Sequence, residues 1–228
     1  MSTPITSTNY SIGMPDVYFC NTAVTNNTVS TTSAYADLGD LLNAIAVDGS
    51  TAARASFSLG NLPECSLTPE YTTLDHFISS NGSRLKDKTI ITEKNLTINI
   101  TFDEINMGNL ERFLMATDED SSVGIVMDAV AAEGSALLVY RSAYGNNFLY
   151  AIPRCTITAN GDLAFSGENW ISGGLKLSVL ALTGFDPESC AVNASFTLPT
   201  LPAYTTAPYG WIQTEASAVS GGFKYTTA

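Results

Sequence analysis

The sequence predicts a mainly β protein with one well-marked helix, and three observations carry that prediction. The 228 residues are rich in Thr, Ser, Val, Ile, Tyr and Gly and only 14% are charged, a mixture that suits strands and turns. Residues 95–102, NLTINITF, alternate strictly: Leu96, Ile98, Ile100 and Phe102 share the core-facing side while Thr97, Asn99 and Thr101 share the wet one. Directly afterwards, in INMGNLERFLMATDED, the period changes. Asn106 can cap, and Leu110, Phe113 and Leu114 form one core-facing stripe of a helix of about three turns. With 45% hydrophobic residues the chain can build a substantial core.

Taken in order, residues 1–16 read as an N-terminal arm, polar and without periodicity, and DVYFC (16–20) as a short strand. Residues 21–56 begin as a Thr/Asn/Ser-rich loop and then offer YADLGDLLNAIAV, where Leu38, Leu41, Leu42 and Ile45 have helical spacing. Residues 57–77 look extended, and Pro63 and Pro69 push any strand there to a sheet edge. A polar stretch follows to Lys88, with the turn dipeptide Asn81-Gly82 inside it. Beyond the helix, SALLVYRSA, NFLYAIPRCTITA, DLAFSG and GGLKLSVLAL are further strands, and Asn160-Gly161 marks a turn. Residues 184–228, with Pro187, Pro199, Pro202 and Pro208, read as an extended C-terminal arm in which ASFTL can pair. The whole is one domain whose core spans 57–183.

The formal net charge is −12, which argues against ordinary nucleic-acid binding, since clustered Lys and Arg supply phosphate affinity. A surface that lets DNA slide past carries the same sign. Cys20, Cys65, Cys155 and Cys190 lie far apart without metal-ligand spacing, and buried free thiols are the favoured reading. The start MSTPITSTNYSIG has no basic residue and no apolar run, so no secretory signal is expected, and no run is long enough to span a membrane. The lone histidine, His76, has no nucleophile elbow to serve, and Asp103 and Glu104, adjacent at a strand end, are expected to point apart. The cluster DEDSS lacks the calcium-loop pattern. No catalytic residue, cofactor or metal ligand is assigned.

One local feature stands against the acidic whole. Four of the ten basic residues, Arg84, Lys86, Lys88 and Lys94, fall within SRLKDKTIITEK (83–94). Taken alone, that cluster fits either a solvated edge, where lysines discourage strand pairing, or a contact that sets partner choice.

The block LGNLPECSLTPEYTTLDHFISSNGSRLKDKTIITEKNLTINITFDEINMGNLERFLMA (59–116) resembles the major tail tube proteins of long, non-contractile phage tails. The resemblance rests on Leu59-Gly60-Asn61 with Pro63-Glu64, on Leu67-Thr68-Pro69-Glu70, and on Leu74-Asp75-His76-Phe77. It continues through the basic KDKT to Glu93-Lys94 and the TFDEI…NL entry to the helix. VYF (17–19) and ITANGDLAFSGENW (157–170) fit the same pattern. Residues 21–56 look long for the family and read as an insertion with an outward or inter-subunit role, and nothing beyond 185 matches.

The resemblance implies a β-sandwich or barrel-like fold with a flanking helix, homohexameric rings, and stacking of those rings into the tail tube of a virion assembled in the host cytoplasm. Implied partners are other copies, the tape measure protein, the tail terminator and distal tail proteins, and DNA crossing the lumen without specific binding; no membrane is involved. Six copies at −12 each would carry −72 per ring, a charge that repels phosphates despite a screening length of ~8 Å. It further implies that a segment near 70–90 protrudes to a neighbouring subunit, with Arg84, Lys86 and Lys88 at its base and Asp75, His76, Phe77 and Asp87 beside them in the contact. Two alternatives remain open from the sequence. One is a secreted, carbohydrate-binding or adhesin-like sandwich, favoured by Tyr140, Tyr144, Tyr204 and Tyr209; the other is a tube subunit of the same fold, of type VI secretion kind.

Overall fold

The computed structural model describes residues 12–20, 58–120, 124–126, 132–144, 148–165, 170–182 and 209–214. The elements run β1 (Ile12–Cys20), β2 (Glu64–Ser80), β3 (Ser83–Phe102), α1 (Met107–Leu114), β4 (Thr117–Asp120), β5 (Gly124–Val126), β6 (Ala132–Tyr144), β7 (Phe148–Ala159), β8 (Gly173–Val179) and β9 (Trp211–Thr214). Six strands form one antiparallel sheet in the order β1-β6-β7-β8-β3-β2, and β9 also pairs with β7; β4 and β5 make a separate two-stranded sheet. The protein is thus mainly β with one flanking helix.

Period-2 alternation places Phe19, Ile98, Ile100, Phe102, Leu138 and Leu177 in one apolar cluster. The intervening Leu137, Val139 and Leu149 are also buried, so the middle of the sheet is covered on both faces. Pro153 would be out of place in a central strand, having no N–H to give. It sits where the β6–β7 register slips, between the segment of β7 paired by β9 and the segment paired by β8.

α1 begins as expected: the Asn106 side chain accepts from the Asn109 backbone N–H at 2.9 Å. It has eight residues, about two turns rather than three, because Met115 turns left-handed at φ 50° and closes the helix. Its innermost residues are polar. Asn109 and Arg112 are buried, whereas Leu110, Phe113 and Leu114 are half-buried. Of that stripe, Phe113 reaches the core, edge-on to Phe102 at 6.3 Å. The Arg112 guanidinium lies over the Phe19 ring, 5.6 Å from its centroid, and burial lowers its pKa.

Several other expectations change. Residues 12–16 belong to β1 rather than to an arm. The polar stretch before Lys88 is strand on both sides of its turn. The described part of DLAFSG, residues 162–165, holds a bridge from Ala164 to Ser172 in place of a strand. The acidic residues after the helix form β4, and Trp211–Thr214 of the expected arm pairs with β7. The helical pattern near 38–45 and the ASFTL segment lie outside the described residues.

Candidate functional site

Residues 59–62 and 103–109 form a clamp at the root of the longest hairpin. Asn61 donates its side-chain amide to both oxygens of Asp103, at 2.7 and 2.8 Å, and its backbone N–H to Glu104 Oε2 at 3.2 Å. The two carboxylates therefore converge on Asn61, contrary to the strand-based expectation, because β3 ends at Phe102 and alternation stops there. Gly60 holds φ 79°, and a Cβ there would collide with the Glu104 carboxylate. Asn109 closes the clamp by donating to the carbonyls of Leu59 and Glu104, both at 2.9 Å. These bonds give a physical reason for the Leu59-Gly60-Asn61 and Asp103-Glu104 motifs.

From this root β2 and β3 run out together, pairing from Glu64–Thr101 to Ser80–Ser83. β8 flanks β3 only from Thr97 to Phe102, so beyond Leu96 the pair is a ribbon with no third strand among the described residues. At the usual rise the stretch from Pro69 to Ser80 spans about 35 Å. Asn81 and Gly82, at φ 50° and 79°, make the tight turn at the tip. Two register shifts, at Thr72/Thr73 and His76/Phe77, leave Thr92 and Asp87 as extra residues on β3.

Both faces of the ribbon carry exposed apolar residues. One face has Tyr71, Ile91 and Phe77 with Lys94, Asp75, Lys86 and Arg84; the other has the rungs Leu74–Ile90, His76–Lys88 and Ile78–Leu85. Exposure runs from 38% at Phe77 to 63% at Ile91, against 1% or less for Ile98, Ile100 and Phe102 further along β3. On the first face Lys86 Nζ lies 2.8 Å from Asp75, Thr89 donates to the same carboxylate at 2.7 Å, and the Arg84 guanidinium covers Phe77 at 4.1 Å. The bonds from Lys86 and Thr89 hold Asp75 below the ordinary carboxylate range. His76 Nδ1 stands 3.3 Å from Asp87 Oδ2, a contact the bulge at Asp87 makes possible. The hairpin thus gathers Asp75, His76, Phe77, Arg84, Lys86, Asp87 and Lys88. It places Arg84, Lys86 and Lys88 in its outer half and not at its base, since strand pairing continues to the turn.

At the base, between β1 and β2, lies an apolar cavity of about 210 Å³ whose walls include Met14, Leu67, Tyr140, Phe148, Tyr150 and Ile212. Tyr140 and Phe148 stack at 4.6 Å, and the Tyr150 hydroxyl donates to the Tyr209 carbonyl at 2.8 Å. Burial pushes the Cys65 thiol up to about 11, so this wall is uncharged at neutral pH. The sequence gives no sign of the cavity, whose walls come from five strands. Tyr140 and Tyr209 are half-buried here, unlike the exposed tyrosines a sugar-binding reading wants.

Residues 41–137 match a family described as Protein of unknown function UCP028589, a span that takes in the whole hairpin and α1. No curated protein matches the chain. Among the described residues Cys65 and Cys155 are free thiols, no acidic, His or Cys cluster could hold a metal ion, and no helix is long and apolar enough to cross a membrane.

Proposed function

We propose that this protein is a structural assembly subunit, the tail tube protein of a long, non-contractile phage tail, whose hairpin docks on the next copy. The observation that carries the reading is the ribbon itself. A two-stranded hairpin is marginally stable in water, and open edges flanked by exposed Leu, Ile and Phe invite association. A partner that covered those side chains would remove the liability and order the ribbon. In this reading copies form hexameric rings that stack into a tube around the tape measure protein and later conduct DNA past an acidic lumen. The motifs of residues 59–116 favour that reading over a secretion tube, and the reading assigns no reaction or cofactor.

The sandwich or barrel-like form of the fold belongs to the same proposal. It is supported by residues 58–59, where a Tyr18–Ser58 bridge and the 2.9 Å bond from Leu59 N–H to the Val17 carbonyl bring the chain leading into β2 against edge strand β1.

Negative-stain electron microscopy of the concentrated protein tests the reading. Rings or hollow tubes of uniform width are expected; a monomer at every concentration in sedimentation would overturn it. One observation favours a carbohydrate-binding module instead: Phe165 and Trp170 are 75% and 90% exposed near the Ala164–Ser172 bridge. Glycan-array binding that disappears in Trp170→Ala would support that second reading.

A further inference from the structure

We infer that the cavity between β1 and β2 is the seat for the hairpin tip of a second copy, filled by the outer apolar rung Ile78–Leu85. This deepens the assembly reading and rests on it, because it names the surface that receives the hairpin.

The size and chemistry of the cavity select the occupant. Its volume of about 210 Å³ is below the ~300–1,000 Å³ of small-molecule pockets. A dry apolar cavity of ~150 Å³ accommodates a six-carbon ring, so this one suits about eight carbons, the content of one Ile and one Leu side chain. The polar groups on its walls offer little to orient a metabolite: the Tyr150 hydroxyl already donates to Tyr209, and Cys65 is a neutral thiol. The rim consists of apolar side chains left in water, with Met14 at 47%, Leu67 at 46% and Ile212 at 59% exposed.

Covalent geometry dictates that the occupant comes from another molecule. β2 forms the cavity wall at Cys65 and Leu67 and continues without a break into the ribbon, so about 40 Å of paired strand, at the usual rise, separates each hairpin tip from its own cavity. Charge favours the same pairing. Outward of the Thr72/Thr73 register shift, residues 73–91 carry three basic and two acidic side chains, a net of +1, which leaves −13 on the rest of a chain of net −12. A hairpin approaching the body of another copy is thus attracted, and Arg84, Lys86 and Lys88 flank the rung that enters. The contact is head-to-tail, which generates rings or filaments rather than closed pairs.

The test uses two full-length variants, Leu85→Asp in the tip and Ile212→Asp on the rim, both at exposed positions that leave the fold intact by circular dichroism. Each alone should associate at least tenfold more weakly than the unmodified protein in sedimentation velocity. Mixed together, they should form one-to-one dimers, because one retains its hairpin and the other its seat. A photo-crosslinker in place of Leu85 should join peptides containing Met14 or Ile212. If the unmodified protein associates but Ile212→Asp does so equally well, or the mixture stays monomeric, or the crosslinks map elsewhere, the seat is wrong and the assembly reading stands. If the unmodified protein never associates, both are overturned.

Discussion

The two halves of β3 both carry large apolar residues, and those residues meet opposite fates. From Leu96 to Phe102 every second residue is apolar, and Ile98, Ile100 and Phe102 are buried to 1% exposure or less. From Ser83 to Asn95 the strand also carries Leu85, Ile90 and Ile91, yet these stand 46% to 63% exposed. The inner half has β8 on one edge, β2 on the other and the core cluster beneath; among the described residues the outer half is paired with β2 alone. Burial is therefore a property of the neighbours, not of the residue type. An apolar strand without neighbours is a surface that awaits one.

Truncating Phe102 to Ala should break the inner half, with a loss of about 3–5 kcal/mol in chemical denaturation, because it removes a fully buried ring packed on Phe113. Ile91→Ala in the outer half should change the stability of the monomer by less than about 0.5 kcal/mol. Equal losses at the two sites would mean that the ribbon is packed in the free protein. Asn109→Ala comes next. It leaves the Leu59 and Glu104 carbonyls without their donor at the hairpin root and should cost about 1–3 kcal/mol.

Reversing Arg84, Lys86 and Lys88 together to Glu should leave monomer stability little changed in chemical denaturation, since the Lys86–Asp75 pair lies at the surface. It should nevertheless abolish tube formation in the microscope, and normal tubes from this variant would return the cluster to a solvated edge. The smallest effect is a titration. Asp75 should lose its charge below the usual carboxylate range by NMR, and Lys86→Ala should raise its pKa toward that range. With the folded value depressed, the contribution of Asp75 to stability is present above the ordinary carboxylate pKa and fades as pH falls through the folded one.

Much of the local structure could be read in the residues. The alternation of 95–102, the cap at Asn106 and the Asn81-Gly82 turn are each set by a few adjacent side chains, and each appears where expected. Pro63 and Pro69 likewise marked β2 as an edge strand, which it is. The interior of the helix was less legible. Its apolar stripe suggested Leu110, Phe113 and Leu114 as the inward face, but Asn109 and Arg112 lie deeper, because the chain entering β2 supplies carbonyl acceptors and Phe19 supplies a ring face. The polar composition of 78–88 hid a strand whose pairing depends on its partner rather than on its own pattern.

The sequence by itself determined the β class, the single capped helix and the concentration of positive charge in residues 83–94, because propensity, periodicity and charge are local quantities. Only the tertiary structure decided how far the hairpin projects, that its basic residues sit in its outer half, that Asp103 and Glu104 meet at Asn61, and that five strands leave a cavity between β1 and β2. Those features depend on which segments become neighbours, and pairing between residues far apart in the chain leaves no period for a sequence to show.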